Sequence, residues 1–146
     1  MNDELDFINK TTNSKLLLFK AIFESEIDID DSIRYFKKAA ELGEVNAMNF
    51  LGEHYCSEME DNIREENDIL ANAIKLMKEY YSKVVKLTNG NIKAMIELGK
   101  VYEKEKDYDM MKRYYIQACE FDSYVAMEKL GEYYMEVEDK PSLMVK

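Results

Sequence analysis

His54 and Cys56 are the two residues that come closest to forming a metal or catalytic pair in this chain. Imidazole and thiolate both bind zinc, but a zinc site needs three or four ligands, and no second pair lies at a suitable spacing. No glycine-rich phosphate loop is present. The carboxylates are scattered, and none is isolated in an apolar setting that would make a general acid. The sequence therefore predicts no catalytic residue, no metal, no cofactor and no enzyme activity.

A nine-residue phrase occurs three times, at residues 47–55, 94–102 and 126–134, and reads Ala-Met-x-x-Leu-Gly-x-x-Tyr each time. On an α-helix its Ala, Leu and Tyr fall at i, i+4 and i+8, so they share one stripe. The glycine costs about 1 kcal/mol relative to alanine in a helix interior. Its recurrence at one place predicts that another helix approaches the backbone closely there.

A second pattern precedes each phrase, namely an aromatic pair followed by a pair of small or β-branched residues. The three copies are Tyr35-Phe36 with Ala39-Ala40, Tyr80-Tyr81 with Val84-Val85, and Tyr114-Tyr115 with Ala118-Cys119. We call the helix with the phrase helix A and the helix with the aromatic pair helix B. The residues predicted to define the packing of the repeats are Leu51, Gly52, Tyr55, Leu98, Gly99, Tyr102, Leu130, Gly131, Tyr134, Ala39 and Ala118.

The two patterns together resemble the tetratricopeptide and Sel1-like helical repeats, with residues 35–52 especially similar to the Sel1-like group. The copies depart from the tetratricopeptide pattern in three ways. Leu98 and Leu130 are 32 residues apart, against about 34 in that family. Met replaces the usual first aromatic of helix A, and Ser123 stands at the place of the terminal proline. The two subfamilies remain alternatives. The resemblance implies an all-α fold, a right-handed α-α superhelix (α-solenoid) of about four helix pairs.

The repeats are expected at about residues 14–43, 46–88, 91–121 and 123–146 of a single domain spanning residues 1–146, with the last repeat incomplete. Counting back 32 residues from Leu51 and Tyr55 places Phe19 and Phe23 at the matching positions of a degenerate first repeat. Residues 1–12 are expected to form a short capping helix or a loose arm. Asp30 or Asp31 is expected to cap the next helix, because a carboxylate accepts the free amide hydrogens of a first turn.

Helix B of the second repeat is expected to be long, about residues 66–87, because apolar residues keep helical period beyond a charged run at 58–68. At the other end, residues 139–142 break the chain after the last helix A. Residues 143–146 are too few for a helix B. The last helix is therefore expected to be unpaired, so either the chain is a fragment or this apolar face meets another subunit.

The whole chain has 146 residues and a net charge of −10. A surface with this negative charge repels the phosphate backbone of nucleic acids and the head groups of anionic membranes. Neither nucleic acid nor membrane is therefore the expected partner. The longest apolar run near the N-terminus is far too short to span a bilayer. Two cysteines without a disulfide spacing favour a reducing compartment. The expected location is the cytoplasm, or the host cytoplasm if the source is a virus, since the Sel1-like group has bacterial and viral members.

The resemblance implies a non-enzymatic scaffold that binds a protein or peptide on the concave face lined by helices A. The positions of helices A that line the concave face in that family correspond to ten residues here, which are the predicted partner-binding residues. They are Asn46, Asn49, Glu53, Lys93, Ile96, Lys100, Lys104, Glu128, Glu132 and Met135. The three lysines lie at i, i+7 and i+11, so they share one helix face. They either grip an acidic segment or pair with the glutamates of the next helix. The alternative function is a structural protein that forms a homo-oligomer through its terminal or overhanging helix.

Overall fold

The computed structural model describes residues 13–64 and 67–136, and every regular element in those ranges is an α-helix. The helices are α1 (Ser14–Glu24), α2 (Ile29–Glu41), α3 (Val45–Asp61), α4 (Asp68–Leu87), α5 (Ile92–Lys104), α6 (Tyr108–Cys119) and α7 (Tyr124–Glu136). They divide into an N-terminal unit, Met1–Leu87, and a C-terminal unit, Thr88–Lys146. None of the described helices is long and apolar enough to cross a membrane. The expectations for residues 1–12 and for the chain after residue 136 lie outside the described residues.

In the N-terminal unit each helix packs against the next along the chain. The core is formed where helix A and helix B faces meet, and Leu17, Phe36, Leu51 and Met77 are among its fully buried side chains. The ring of Phe36 on α2 stacks on Phe50 of α3, with centroids 3.8 Å apart. This contact joins the helix B of one pair to the helix A of the next.

The start of α2 corrects one expectation from the sequence. Asp28, and not Asp30 or Asp31, is the N-cap: its side chain accepts hydrogen bonds from the backbone N–H of Asp30 and Asp31 at 3.0 and 3.3 Å. The helix begins at Ile29, so the two later aspartates already lie within its first turn. At the other end, Gly43 has φ +92° and follows the C-cap Leu42. Glycine is the residue usually found just beyond a helix end in this left-handed conformation.

Helix α1 corrects a second expectation. Phe19 and Phe23 are 67% and 65% exposed, whereas Leu51, the supposed counterpart of Phe19, is fully buried. The proposed equivalence is therefore wrong. Helix α1 instead turns Leu17 and Ala21 towards α2, and the hydroxyl of Ser32 donates a hydrogen bond of 2.8 Å to the carbonyl oxygen of Ala21.

In the C-terminal unit α5 packs against α6, and α6 against α7. Side chains cap all three helices: Asn91 accepts from the Ala94 N–H, Asp107 from the Met110 N–H, and the Ser123 hydroxyl from the Ala126 N–H.

The expected fold class is confirmed: the described chain is all-helical, and neighbouring helices pack as in a helical repeat solenoid. Within each unit the pairs alternate helix A and helix B in the order that the two sequence patterns predicted. The extents of the four repeats, the single domain and the superhelical hand stay predictions.

Candidate interaction surface

The glycine of the phrase lies directly under an aromatic ring of helix B. A Cβ atom added to Gly52 would lie 2.5 Å from Cδ1 of Tyr81, and one added to Gly99 would lie 2.7 Å from Cδ1 of Tyr115. Side chains essentially never approach so closely. Because both rings are buried, they have no room to move aside. Glycine is therefore required at these two places, as the recurrence of the phrase predicted.

The other aromatic residue of each pair stacks on the tyrosine that ends the phrase. The rings of Tyr55 and Tyr80 are 6.2 Å apart with planes 6° from parallel, and those of Tyr102 and Tyr114 are 5.9 Å apart and 8° from parallel. Burial, followed by the charge of Glu79, raises the pKa of Tyr80 to about 12. Burial also raises the pKa of Tyr102 and Tyr114. These phenols stay neutral at ordinary pH, and their rings join helix A to helix B.

The small residues of helix B complete the same interface. Ala39, Val84 and Ala118 are fully buried, as expected for positions where two helices approach closely. Cys119, the neighbour of Ala118, is a free thiol that is partly exposed. Burial raises its pKa, so the thiol is held in its protonated, weakly nucleophilic form.

The predicted partner-binding residues divide between the two units. In the N-terminal unit α3 places Asn46 and Glu53 at the surface and Asn49 half-buried. In the C-terminal unit the exposed members are Lys93 and Lys104 on α5 and Glu128, Glu132 and Met135 on α7, while Lys100 is half-buried. Ile96 is buried, so it contributes to the core and offers little surface to a partner.

Two carboxylates that the sequence analysis did not single out lie within this region of the C-terminal unit. Glu97 pairs with Lys100 at 3.4 Å along α5, and Glu103 accepts a 3.1 Å hydrogen bond from the hydroxyl of Tyr115. The pKa of Tyr115 is raised first by burial, then by the charge and hydrogen bond of Glu103, and then by the charges of Glu97 and Glu132. Tyr115 thus contacts the packing glycine with its ring and donates a hydrogen bond to one carboxylate, that of Glu103, with its hydroxyl group.

In the N-terminal unit His54 lies in a surface pocket of about 670 Å³ between α2, α3 and α4. Its Nε2 atom is 3.7 Å from a carboxylate oxygen of Glu58, and the ammonium group of Lys37 lies 5.8 Å from the centre of the Tyr55 ring. Cys56 is buried, and its Sγ atom is 4.0 Å from Glu60. His54 is thus a partly exposed residue on the face of α3.

The comparison with known families agrees with these helix pairs. The model of the tetratricopeptide repeat family matches residues 92–124, which hold α5, α6 and the first residue of α7. This match supports a tetratricopeptide-like family for the chain. Such repeats generally mediate protein–protein interactions, and the family is generally a non-enzymatic interaction scaffold. No curated protein matches the chain significantly.

Proposed function

We propose that this chain is an interaction scaffold that binds a peptide or protein segment on the exposed side of its helices A. The observation that carries the proposal is the pairing of the tetratricopeptide match with the exposed side chains of α5 and α7. The core holds the helix pairs in fixed register, so these side chains are displayed on a rigid support. The absence of a nucleic acid or membrane partner stays a prediction, supported by the net charge of −10. The cytoplasmic location stays a prediction that rests on the two cysteines without a disulfide spacing.

The chemistry of α5 favours an acidic segment as the ligand. Lys93, Lys100 and Lys104 lie on one side of this helix. Lys100 has its ion pair with Glu97 within α5, where the lysine side chain is 43% exposed and the glutamate side chain 17%. Ion pairs at a protein surface contribute about 0–1 kcal/mol. A ligand carboxylate can therefore displace it at little cost. On α7, Met135 adds an exposed apolar contact of adaptable shape.

Affinity capture from native cytosol tests this proposal. The variant Lys93→Glu with Lys100→Glu should lose a defined set of partners that the original chain retains, because two attractive charges become repulsive. The matched control is Lys75→Glu with Lys86→Glu, which makes the same change of charge at two exposed positions of α4. Circular dichroism should show equal helicity in all three proteins. Identical capture by the two variants would refute the assignment of this surface.

Self-association through α7 is the second candidate function. Tyr124 is 83% exposed, and Val125 beside it is half exposed, so the first turn of α7 presents apolar surface to solvent. Sedimentation over a range of concentrations separates the two candidates. A monomer throughout supports binding of a different partner, and a dimer that is lost in Tyr124→Glu supports self-association.

A further inference from the structure

The pocket between α2, α3 and α4 lies within the N-terminal unit, and the residues that line it all belong to the described ranges. Its volume of about 670 Å³ is in the range of sites that bind a small ligand. Charged groups dominate its lining: Asp30, Arg34 and Lys37 come from α2, and His54 and Glu58 from α3. A pocket that holds charges of both signs can select a ligand by its charge pattern as well as by its shape.

Lys37 extends into this pocket and away from the nearest carboxylate on its own helix. Glu41 lies four residues further on, a spacing at which lysine and glutamate commonly pair. The carboxylate of Glu41 is instead 3.7 Å from the ammonium group of Lys38. The ammonium group of Lys37 lies 5.8 Å from the centre of the buried Tyr55 ring. Among the described residues Lys37 forms no ion pair, so its charge is available to a ligand.

Asp30 supplies a negative charge at the other end of the pocket. It precedes Lys37 by seven residues, so it lies on the same side of α2 and about 10 Å away along the helix axis. Its side chain is exposed, and in the described part of the chain its carboxylate has no ion pair either.

Helix α3 adds a second carboxylate to the negative end. It packs against α2 after the short link 42–44, so the two helices run antiparallel. Glu58 comes three residues after Tyr55 and therefore lies nearer to Asp30 than Tyr55 does. The Nε2 atom of His54 is 3.7 Å from the carboxylate of Glu58, which is longer than a hydrogen bond, so Glu58 can still accept one from a ligand.

The middle of the pocket is close to neutral. Arg34 lies between Asp30 and Lys37 on α2, and it forms an ion pair with Asp31. The charges that remain for a ligand are thus separated into a positive end at Lys37 and a negative end at Asp30 and Glu58.

We propose that this pocket binds an extended segment of a partner protein that carries an acidic and a basic side chain three residues apart. The acidic side chain contacts Lys37, and the basic one contacts Asp30 and Glu58. In a polyproline II helix, residues three apart lie on the same side and about 9 Å from each other, which matches the separation of the two ends. The α5 lysines take no part in this site, so it goes beyond the proposed function.

Rhodamine-labelled peptides test this proposal through their anisotropy against the full chain, at about 25 mM NaCl because salt screens surface charges. The mixed probes are Gly-Glu-Pro-Pro-Arg-Gly and its reverse, Gly-Arg-Pro-Pro-Glu-Gly, which present the two charges in both chain directions on an extended backbone. At least one mixed probe should bind saturably. An all-acidic probe with Glu-Pro-Pro-Glu and an all-basic probe with Arg-Pro-Pro-Arg should each bind about fivefold or more weakly, because one end then meets its own charge.

Reversing the charge of Lys37 makes both ends of the pocket acidic. Lys37→Glu should therefore weaken the mixed probe by about tenfold or more and strengthen the all-basic probe. Loss of structure cannot produce such a gain. The matched control is Lys83→Glu, because the ammonium group of Lys83 also lies over a tyrosine ring, that of Tyr80 at 5.9 Å, but does not line the pocket. Its affinity for the mixed probe should stay within about twofold of the original.

The negative end has its own variant, Asp30→Asn, which should weaken the mixed probe and narrow its advantage over the all-acidic one. Three results would overturn the proposal: no saturable binding of either mixed probe, a mixed-probe affinity no higher than that of the all-acidic or all-basic probe, or equal effects of Lys37→Glu and Lys83→Glu. The third would mean that the probes respond to the charge of the whole chain. The variant Lys93→Glu with Lys100→Glu should still bind the mixed probe, and loss of binding there would place the probe outside this pocket.

Discussion

The glycine of each phrase affects stability in two opposing ways. Within its own helix it is unfavourable by about 1 kcal/mol relative to alanine. At Gly52 and Gly99 it nevertheless admits a buried tyrosine ring where a Cβ atom would collide. At Gly131 the helix cost is the same, but the residue is half-buried and no described helix B lies over it. The same residue type therefore has different consequences in the three copies.

Gly99→Leu should destabilise the chain by about 1–3 kcal/mol, the usual cost of forcing extra bulk into a packed interior. The ring of Tyr115 is fully buried, so it has no free space into which it can move. Chemical denaturation followed by circular dichroism measures the change in the free energy of unfolding.

Gly131→Leu is the matched control for that measurement. It makes the same substitution in the same phrase at a half-buried position, where leucine is also the better helix former. It should leave stability unchanged or slightly raised. Equal destabilisation by both substitutions would show that the ring contact at Gly99 is not the reason for the glycine.

At the scale of the helices, the repeated phrase made the helix pairs predictable. A period of 3.6 residues and a recurring glycine are enough to predict a close helix–helix contact, and Tyr81 and Tyr115 confirm it. Counting back 32 residues from the second repeat did not identify the buried face of α1. This helix lacks the phrase, so the spacing between the later copies does not apply to it. Counting matched Phe19 to Leu51, but Phe19 lies exposed whereas Leu51 is buried.

The cap of α2 shows the limit of sequence patterns at helix ends. Asp28, Asp30 and Asp31 all lie within four residues, and any of them has the right side chain for an N-cap. Only the backbone decides between them: Asp28 has an extended conformation with φ −145°, and the helix begins at the next residue.

Asp28→Ala should destabilise the N-terminal unit by about 1 kcal/mol, since two backbone N–H groups lose their acceptor. Asp30→Ala is the matched control, because it removes an exposed carboxylate from the first turn without removing the cap. It should cost less, through its weaker interaction with the helix dipole. Urea denaturation of both variants measures the difference, and a larger loss for Asp30→Ala would contradict the assignment of the cap.

For the molecule as a whole, the sequence was a good guide to which helix faces are polar. It was a poorer guide to which side chains contact one another there. Helical period placed Lys93, Lys100 and Lys104 on one face, and they lie exposed or half-buried there. The period carries no information on side-chain conformation or on distant neighbours. The hydrogen bond from Tyr115 to Glu103, twelve residues away, therefore emerged only from the three-dimensional arrangement. The pair between Lys100 and Glu97 lies at i, i+3 along one helix, a spacing at which the period does place two side chains side by side.

The net charge of −10, from 30 acidic and 20 basic residues, is a property of the entire chain. Charge of one sign repels itself more strongly in a folded chain than in an expanded one, so it lowers stability. Salt screens this repulsion over about 10 Å at 0.1 M ionic strength. The melting temperature should therefore rise by about 3 °C between 10 and 200 mM NaCl, which corresponds to about 1 kcal/mol for a domain of this size.

A variant with fewer charges provides the control for this effect. Glu26→Gln, Asp61→Asn and Glu120→Gln remove three exposed carboxylates and bring the net charge from −10 to about −7. This variant should melt higher at 10 mM NaCl and respond less to added salt, because less repulsion remains to be screened. A melting temperature that falls with salt in the original chain would show instead that attractive pairs, such as Lys15 with Glu44 at 2.9 Å, dominate the electrostatic contribution to stability.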